Sequence, residues 1–560
     1  MSADNEMPHP SRRRLLALIA LLLFLGSLLA VSGTAHQYGM TYDEVIYASL
    51  GTATADWFGL LGRSIAHGDF RTPFKRKVLD EAWAAGKDYG PPVIKVGSGL
   101  AQRWLAGAIG FWAAFRLPSA VLFAACVAGL FLWCSSLWGM LPGLFAALAF
   151  ALMPRVFAHA HYAALDMGVA SLSLLTAAAF HQTTRTDSWR WAIATGVLFG
   201  LALLTKFNAW FLPPILFFWA FLFMRRALVK NVIAIAIIGP AVFFAGWPWL
   251  WHDTFARLWA NIAFYRAHYP VDVYYLGKTY HYAPWHYPFV LTTVTLPTLT
   301  LAMLVIGLIA AVVVIARRRS PEAGLLLIAG LAPLCISALP HVPKYNGVRL
   351  FLPAFPFIAA LAGFGFAQII AGAAWLGRRC RPNSSGIGPR RWVGAVLGAV
   401  ILLPAAVGLI HTHPYQLAYY NALVGGPLGA TDRGFETIYW GGVYRDALPT
   451  LNARPGADEL AFVTPPGAIS YLEFYQHAKM LRPDLRFTSP QPTPAATEAA
   501  LRRCDFVIFQ CAQSEFDTVS WPLYREGTAA FSINPFGAPL LLLFDGDDAR
   551  RTLGIEGRAR

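Results

Sequence analysis

Apolar runs of close to 20 residues recur along this chain, and short basic clusters separate them. A run of that length matches the hydrocarbon thickness of a bilayer when coiled as a helix. Only 13% of the 560 residues are charged and 56% are hydrophobic, whereas soluble domains carry about 25% charged residues. A polytopic α-helical membrane protein is therefore expected. Its net charge of +15 is read loop by loop as a topology signal, so no nucleic-acid partner is invoked.

The basic clusters are Arg12 to Arg14, Arg185 with Arg190, "MRRALVK", "ARRRS" and "GRRCRPNSSGIGPRR". Placing all of them in the cytoplasm gives one path of about eleven spans. These run over 15–34, 117–136, 140–157, 165–182, 191–205, 208–224, 230–249, 288–315, 322–339, 351–374 and 392–411. The first apolar run is longer than a signal-peptide core, which favours an uncleaved anchor. Residues 1–14 are then a cytoplasmic N-terminus and 15–411 a transmembrane domain with a long external loop at 35–116. Residues 412–560 form a small extracytoplasmic α/β domain. There, strand-like "ELAFVT", "DFVIFQC" and "PLLLLFD" alternate with helix-like "ISYLEFYQHAK" and "ATEAALRRC". The six cysteines form no metal-type CxxC pair, and a Cys504–Cys511 disulfide is left open.

Several cations depart from the positive-inside pattern: Lys95, Lys206, Arg266, Lys278, Lys344 and Arg349 fall at or near the external face. Any one of them could snorkel to lipid headgroups. In "HVPKYNGVRLFLP", however, two cations flank a glycine turn before a helix, an arrangement suited to an anion. Asp43 and Glu44 follow the first span in "TYDE". Thr41 and Glu44 fit a capping box, with both acids in the first turn of a helix. The cap accounts for Glu44 and leaves Asp43 to point elsewhere. The loop at 250–287 is rich in Tyr, His and Trp, suited to stacking on a sugar or to an interfacial belt.

An Asp-Glu pair just after the first span resembles the signature of GT-C membrane glycosyltransferases. The likeness is to family 39, which groups protein O-mannosyltransferases with lipid A aminoarabinose transferases. "GPPVIK", "FRLPSA", "HAHYAALDMGVASL", "GLALLTKFNAW", "KYNGVRLFLPAFPFIAAL" and "HPYQLAYYNALVGGPLGA" resemble family segments in the same order across about residues 15–430. Where aminoarabinose transferases carry an Arg and a Lys, this chain has Ile46 and Gly90.

The resemblance implies an inverting glycosyltransferase that takes a sugar from a polyprenyl-phosphate carrier at the external face of the plasma (bacterial inner) membrane. Its acceptor would be a lipid, a glycan or a protein. Asp43 is the expected general base, and Asp166 would orient the acceptor or share that role. Lys95, Lys344 and Arg349 would bind the lipid phosphate, while Glu44 and Tyr47 support the motif. A divalent metal is left open, with His268, His281 and Glu44 as the ligands to test against solvated loop histidines. Two other readings compete: a flippase or transporter for a lipid-linked sugar, favoured by Pro213, Pro214 and Pro240 within spans, and a ligase or polymerase using diphosphate-linked donors.

Overall fold

The computed structural model describes residues 10–85, 89–226, 228–266, 271–317, 320–380 and 391–556. Helices dominate. Among the described residues, seven are long and apolar enough to cross a membrane, and up to eight if one bent pair counts as a span. The chain is an integral membrane protein. Two helices form its centre. Residues 165–186 are buried along most of their length, and the apolar window of 349–376 is 89% buried. The first span is only 11% buried and lies along helix Phe111–Trp138. Peripheral helices keep apolar side chains outward because lipid, rather than water, is their solvent. The two central helices begin with Leu165-Asp166 and with Arg349, so the fold's most buried elements start at charged residues.

Two expected spans are not straight. The expected span 288–315 is two helices, Tyr287–Thr295 and Thr298–Ala316. Pro297 separates them because it cannot donate to the helical ladder. The expected span 140–157 is bent by 70° between Met140–Ala151 and Pro154–Ala160, again at a proline.

The long loop after the first span is itself helical, with helices Tyr42–Ala66, Arg76–Trp83 and Val93–Ile109. The first and third approach closely through Gly51 and Gly99. A Cβ on Gly99 would fall 1.9 Å from the Gly51 carbonyl oxygen. This contact brings Lys95 beside the helix that starts at "TYDE".

A hairpin of β1 (Val273–Tyr275) and β2 (Lys278–Tyr280) lies in the aromatic loop. Its turn residues Leu276 and Gly277 both have positive φ, 52° and 77°, the requirement of a two-residue primed turn. Tyr275 also bridges to Phe435.

The expected C-terminal α/β unit is present as a five-stranded sheet in the order β4-β3-β5-β7-β6. Its strands are β3 (Leu460–Thr464), β4 (Arg486–Thr488), β5 (Phe506–Gln510), β6 (Phe531–Ile533) and β7 (Leu541–Asp545). β3 pairs in parallel with β4 and β5, while β7 is antiparallel to β5 and β6. The core beneath helix Ile469–His477 is shared with the membrane part. Tyr471, Leu472 and Tyr475 pack in one cluster with Met40, Ile94, Phe115 and Leu165, and Tyr475 accepts a hydrogen bond from the Met40 N–H at 2.8 Å. Cys504 and Cys511, the pairing left open by the sequence, are both buried thiols, and Cys504 donates to the Leu501 carbonyl at 3.2 Å.

The glycine contact yields a paired test. Gly99→Ala should lower the thermal midpoint in detergent, because overpacking costs about 1–3 kcal/mol. Gly107→Ala on the same helix, where a Cβ meets nothing within 4 Å, should leave it unchanged or raise it, since alanine favours a helix by roughly 0.5–1 kcal/mol over glycine.

Candidate functional site

The expected capping box is present. Thr41 Oγ1 accepts from the Glu44 N–H at 3.4 Å, and Glu44 Oε2 accepts from the Thr41 N–H at 3.0 Å. The Glu44 carboxylate also receives Arg116, with Nε to Oε1 at 2.7 Å and Nη2 to Oε2 at 2.9 Å. The other guanidinium hydrogens go to the carbonyls of Ala35 (2.8 Å), Tyr38 (2.9 Å) and Gly39 (2.7 Å). All five N–H donors of an arginine are thereby used. Both side chains are at most 1% exposed. Glu44 Oε1 further accepts from the Ala163 N–H at 2.9 Å. One carboxylate therefore ties the "TYDE" turn to the segment that enters helix 165–186.

That tie sets Asp43 and Asp166 on either side of Arg349. Arg349 donates through Nε to Asp166 Oδ2 at 2.8 Å and through Nη2 to Asp43. Lys206, at the end of helix Trp189–Thr205, reaches Asp166 Oδ1 at 2.5 Å. The Arg349 guanidinium lies 5.0 Å from the centroid of the Trp440 ring, a favourable cation–π distance. Lys95 is 1% exposed, with Nζ 4.7 Å from the centroid of the Tyr47 ring. Burial pushes the Asp43 carboxyl above its ordinary pKa, and the nearby Arg349 charge opposes that shift only in part. Asp43 thus sits at the start of helix Tyr42–Ala66, beside cations that come from other segments of the chain.

Among the expected residues, Asp43, Asp166 and Arg349 form one network, with Glu44 bracing it and Lys95 with Tyr47 on the adjoining helix pair. Lys344 stands apart. Its Nζ donates to the carbonyls of Leu339 (3.0 Å) and Val342 (3.1 Å), and it lines a recess with His281 and His341. Of the metal ligands considered from the sequence, the two that lie among the described residues are engaged elsewhere. Glu44 is engaged by Arg116, His281 pairs with Asp272 at 2.9 Å, and His268 lies outside the described residues. No group of three metal-ligating side chains occurs among the described residues.

The sequence reading gave no role to Arg116 or Trp440, and it marked Lys206 only as one of the cations at the external face. Arg116 had a visible signal, a charge at the mouth of an otherwise apolar span. Trp440 had none, because it arrives from a distant part of the chain.

The architecture and site define a polytopic membrane protein with a paired-carboxylate, multi-cation centre. Residues 105–252 match the family described as dolichyl-phosphate-mannose-protein mannosyltransferase. This bears out the resemblance over the segment that holds Arg116, Asp166 and Lys206. No curated protein matches the chain. Among solved structures, the chain is similar to ArnT from Cupriavidus metallidurans in the apo state, with 16% identity, 95% of this chain and 98% of that chain covered, and a TM-score of 0.49. The same protein bound to undecaprenyl phosphate gives 14% identity, coverage of 96% and 98%, and a TM-score of 0.47. The oligosaccharyltransferase AglB from Archaeoglobus fulgidus, in complex with an inhibitory peptide and a dolichol-phosphate, gives 12% identity, coverage of 87% and 69%, and a TM-score of 0.47.

The buried pair carries its own prediction. Arg116→Met leaves Glu44 as an uncompensated buried charge, which costs about 3–5 kcal/mol. The double change Glu44→Gln with Arg116→Met should cost less than the sum of the two single changes, as read from unfolding midpoints in detergent.

Proposed function

We propose that the chain is a glycosyltransferase that moves a sugar from a polyprenyl-phosphate carrier to an acceptor on the extracytoplasmic face of a bacterial inner membrane. The N-terminus is cytoplasmic and residues 412–560 are extracytoplasmic in this reading, as the basic clusters require. The observation that carries it is the meeting of Asp43, Asp166 and Arg349 in one part-buried ion cluster, at the start of helices in a chain matching a mannosyltransferase family over 105–252.

The chemistry is a single displacement. An acceptor hydroxyl or amine attacks the anomeric carbon, the bond from that carbon to the phosphate oxygen breaks, and configuration inverts. Asp43 takes the acceptor's proton, a role helped by the raised basicity that burial confers. Arg349 receives the developing charge on the leaving phosphate, with Lys95 behind it. Asp166, held between Arg349 and Lys206, orients the arginine. When phosphate takes Arg349's outer nitrogen, Asp43 is released for the acceptor. These charges sit at helix starts rather than at mid-span, which favours an enzyme at the membrane face over a transporter.

Lipid mass spectrometry on a deletion strain tests this reading. A sugar-linked polyprenyl monophosphate should accumulate, and wild type but not Asp43→Asn should clear it, with both proteins at equal levels in the membrane. A diphosphate-linked glycan in its place would move the protein to the ligases, and full rescue by Asp43→Asn would remove Asp43 as the base. The pH profile follows from the same residue. The base works deprotonated, so kcat/KM should fall as pH drops through a value above the ordinary carboxylate range, and Asp43→Glu should move that limb.

A further inference from the structure

Helix Thr254–Arg266, in the loop after the span that ends at Ala245, is turned inside out. Its polar residues face inward. Arg257 is buried; its Nη1 donates to Asp80 Oδ1 at 2.6 Å and to the Trp249 carbonyl at 2.7 Å, and its Nη2 to Asp80 Oδ2 at 3.1 Å. Asn261 is also buried and donates to the Arg257 carbonyl at 3.2 Å. Every exposed residue from 255 to 264 is apolar, with Phe255 at 88% and Trp259 at 64%. A helix whose outer side faces water carries the opposite pattern.

This apolar arc continues a surface that lipid covers. In the span Leu228–Ala245 only 28% of the apolar window is buried, and Phe244 in its last turn is exposed. Trp251, exposed as well, links that turn to the helix, and its Nε1 donates to the Phe244 carbonyl at 2.8 Å. The helix has 13 residues, which makes it about 20 Å long. That is too short to cross a bilayer and long enough to lie along its surface.

The chain packed against its start is basic. Arg76 pairs with Asp253 at 2.5 Å, and His252 Nε2 lies 3.0 Å from the Phe74 carbonyl. Residues 63–81 and 253–266 together hold seven Lys or Arg against four Asp or Glu. Arg63, Arg71, Lys75 and Lys77 are exposed. Cations at the edge of an apolar surface complement the phosphates of lipid headgroups. We propose that helix 254–266 lies in the interface of the bilayer leaflet on the side of Asp43, with Phe255 and Trp259 in the acyl boundary, and that Arg63, Arg71, Lys75 and Lys77 hold anionic headgroups of that leaflet. This contact does not depend on which sugar or acceptor the site takes.

Nitroxide accessibility in the full-length protein tests it. The chain, carrying Cys335→Ser and Cys380→Ser, is spin-labelled at Ala263→Cys in the apolar arc, or at Ala499→Cys, exposed on helix Pro494–Arg503 of the C-terminal unit. Each form is placed in nanodiscs of phosphatidylcholine alone, and of equal parts phosphatidylcholine and phosphatidylglycerol. Collisions with oxygen, which concentrates in lipid, are compared with collisions with a water-soluble nickel chelate. Oxygen should dominate at 263 and nickel at 499. Phosphatidylglycerol should lower the nickel collisions at 263 further, and Arg71→Gln, Lys75→Gln and Lys77→Gln combined should abolish that shift. Ala256→Cys takes the place of Ala263→Cys if the latter does not fold. A nickel rate at 263 equal to that at 499 overturns the proposal, since the helix would stand in water. A label that neither reagent reaches also overturns it, since a second copy or another protein would then cover the arc. Equal nickel rates in the two lipid mixtures, or a shift that survives the triple change, overturn the headgroup assignment.

Discussion

The structure depends on a buried arginine whose five donors are all spent. Arg116 enters from a membrane span, and its guanidinium closes on Glu44 and on three carbonyls of the segment 35–39. A charge pair this buried is weak evidence for stability, because desolvation offsets much of the attraction. It does fix geometry. The carbonyls of the turn between the first span and helix 42–66 would otherwise be unmatched inside protein, and Arg116 satisfies them while Glu44 caps the helix. Through Ala163 the same carboxylate fixes the entry to helix 165–186.

From that brace the electrostatics of the site follow. Asp43 and Asp166 are brought within reach of a single guanidinium, and Lys206 supplies a further cation to Asp166. The two carboxylates differ in environment. Asp166 is 1% exposed and answered by two cations, whereas Asp43 is 14% exposed and shares only the outer arm of Arg349. A carboxylate paired on both oxygens is held in its ionised form, while a desolvated one with a single cationic partner takes up a proton more readily. Division of labour between neighbouring carboxylates by environment is a general route to acid–base chemistry. The C-terminal unit completes the site, because Trp440 lies against Arg349 and Tyr475 holds the backbone at Met40.

Much of this was legible in the sequence, for local reasons. Apolar runs carry their own span signal, the Thr41–Glu44 box is written in four residues, and β3, β5 and β7 are continuous apolar stretches. Strands β4 and β6, three residues each, are too short to give a pattern. The break at Pro297 was present as a residue and was hidden by the hydropathy around it. The meeting of Arg349 with Asp43 and Asp166 spans 306 and 183 residues, and no local pattern encodes such pairing. Departure from the expected positive-inside pattern pointed to Arg349, the acid pair after the first span pointed to Asp43, and the family resemblance pointed to Asp166, each separately. Lys344, singled out on the same ground as Arg349, went elsewhere because its ammonium is met by the carbonyls of its own turn.

The most direct test of the central claim is a structure of the protein with undecaprenyl phosphate bound. The account predicts the phosphate within hydrogen-bond distance of Arg349, with the Arg349–Asp43 contact broken, Asp43 open to an acceptor, and the Glu44–Arg116 brace unchanged. A phosphate seated away from Arg349, with the Arg349–Asp43 contact intact, would contradict it.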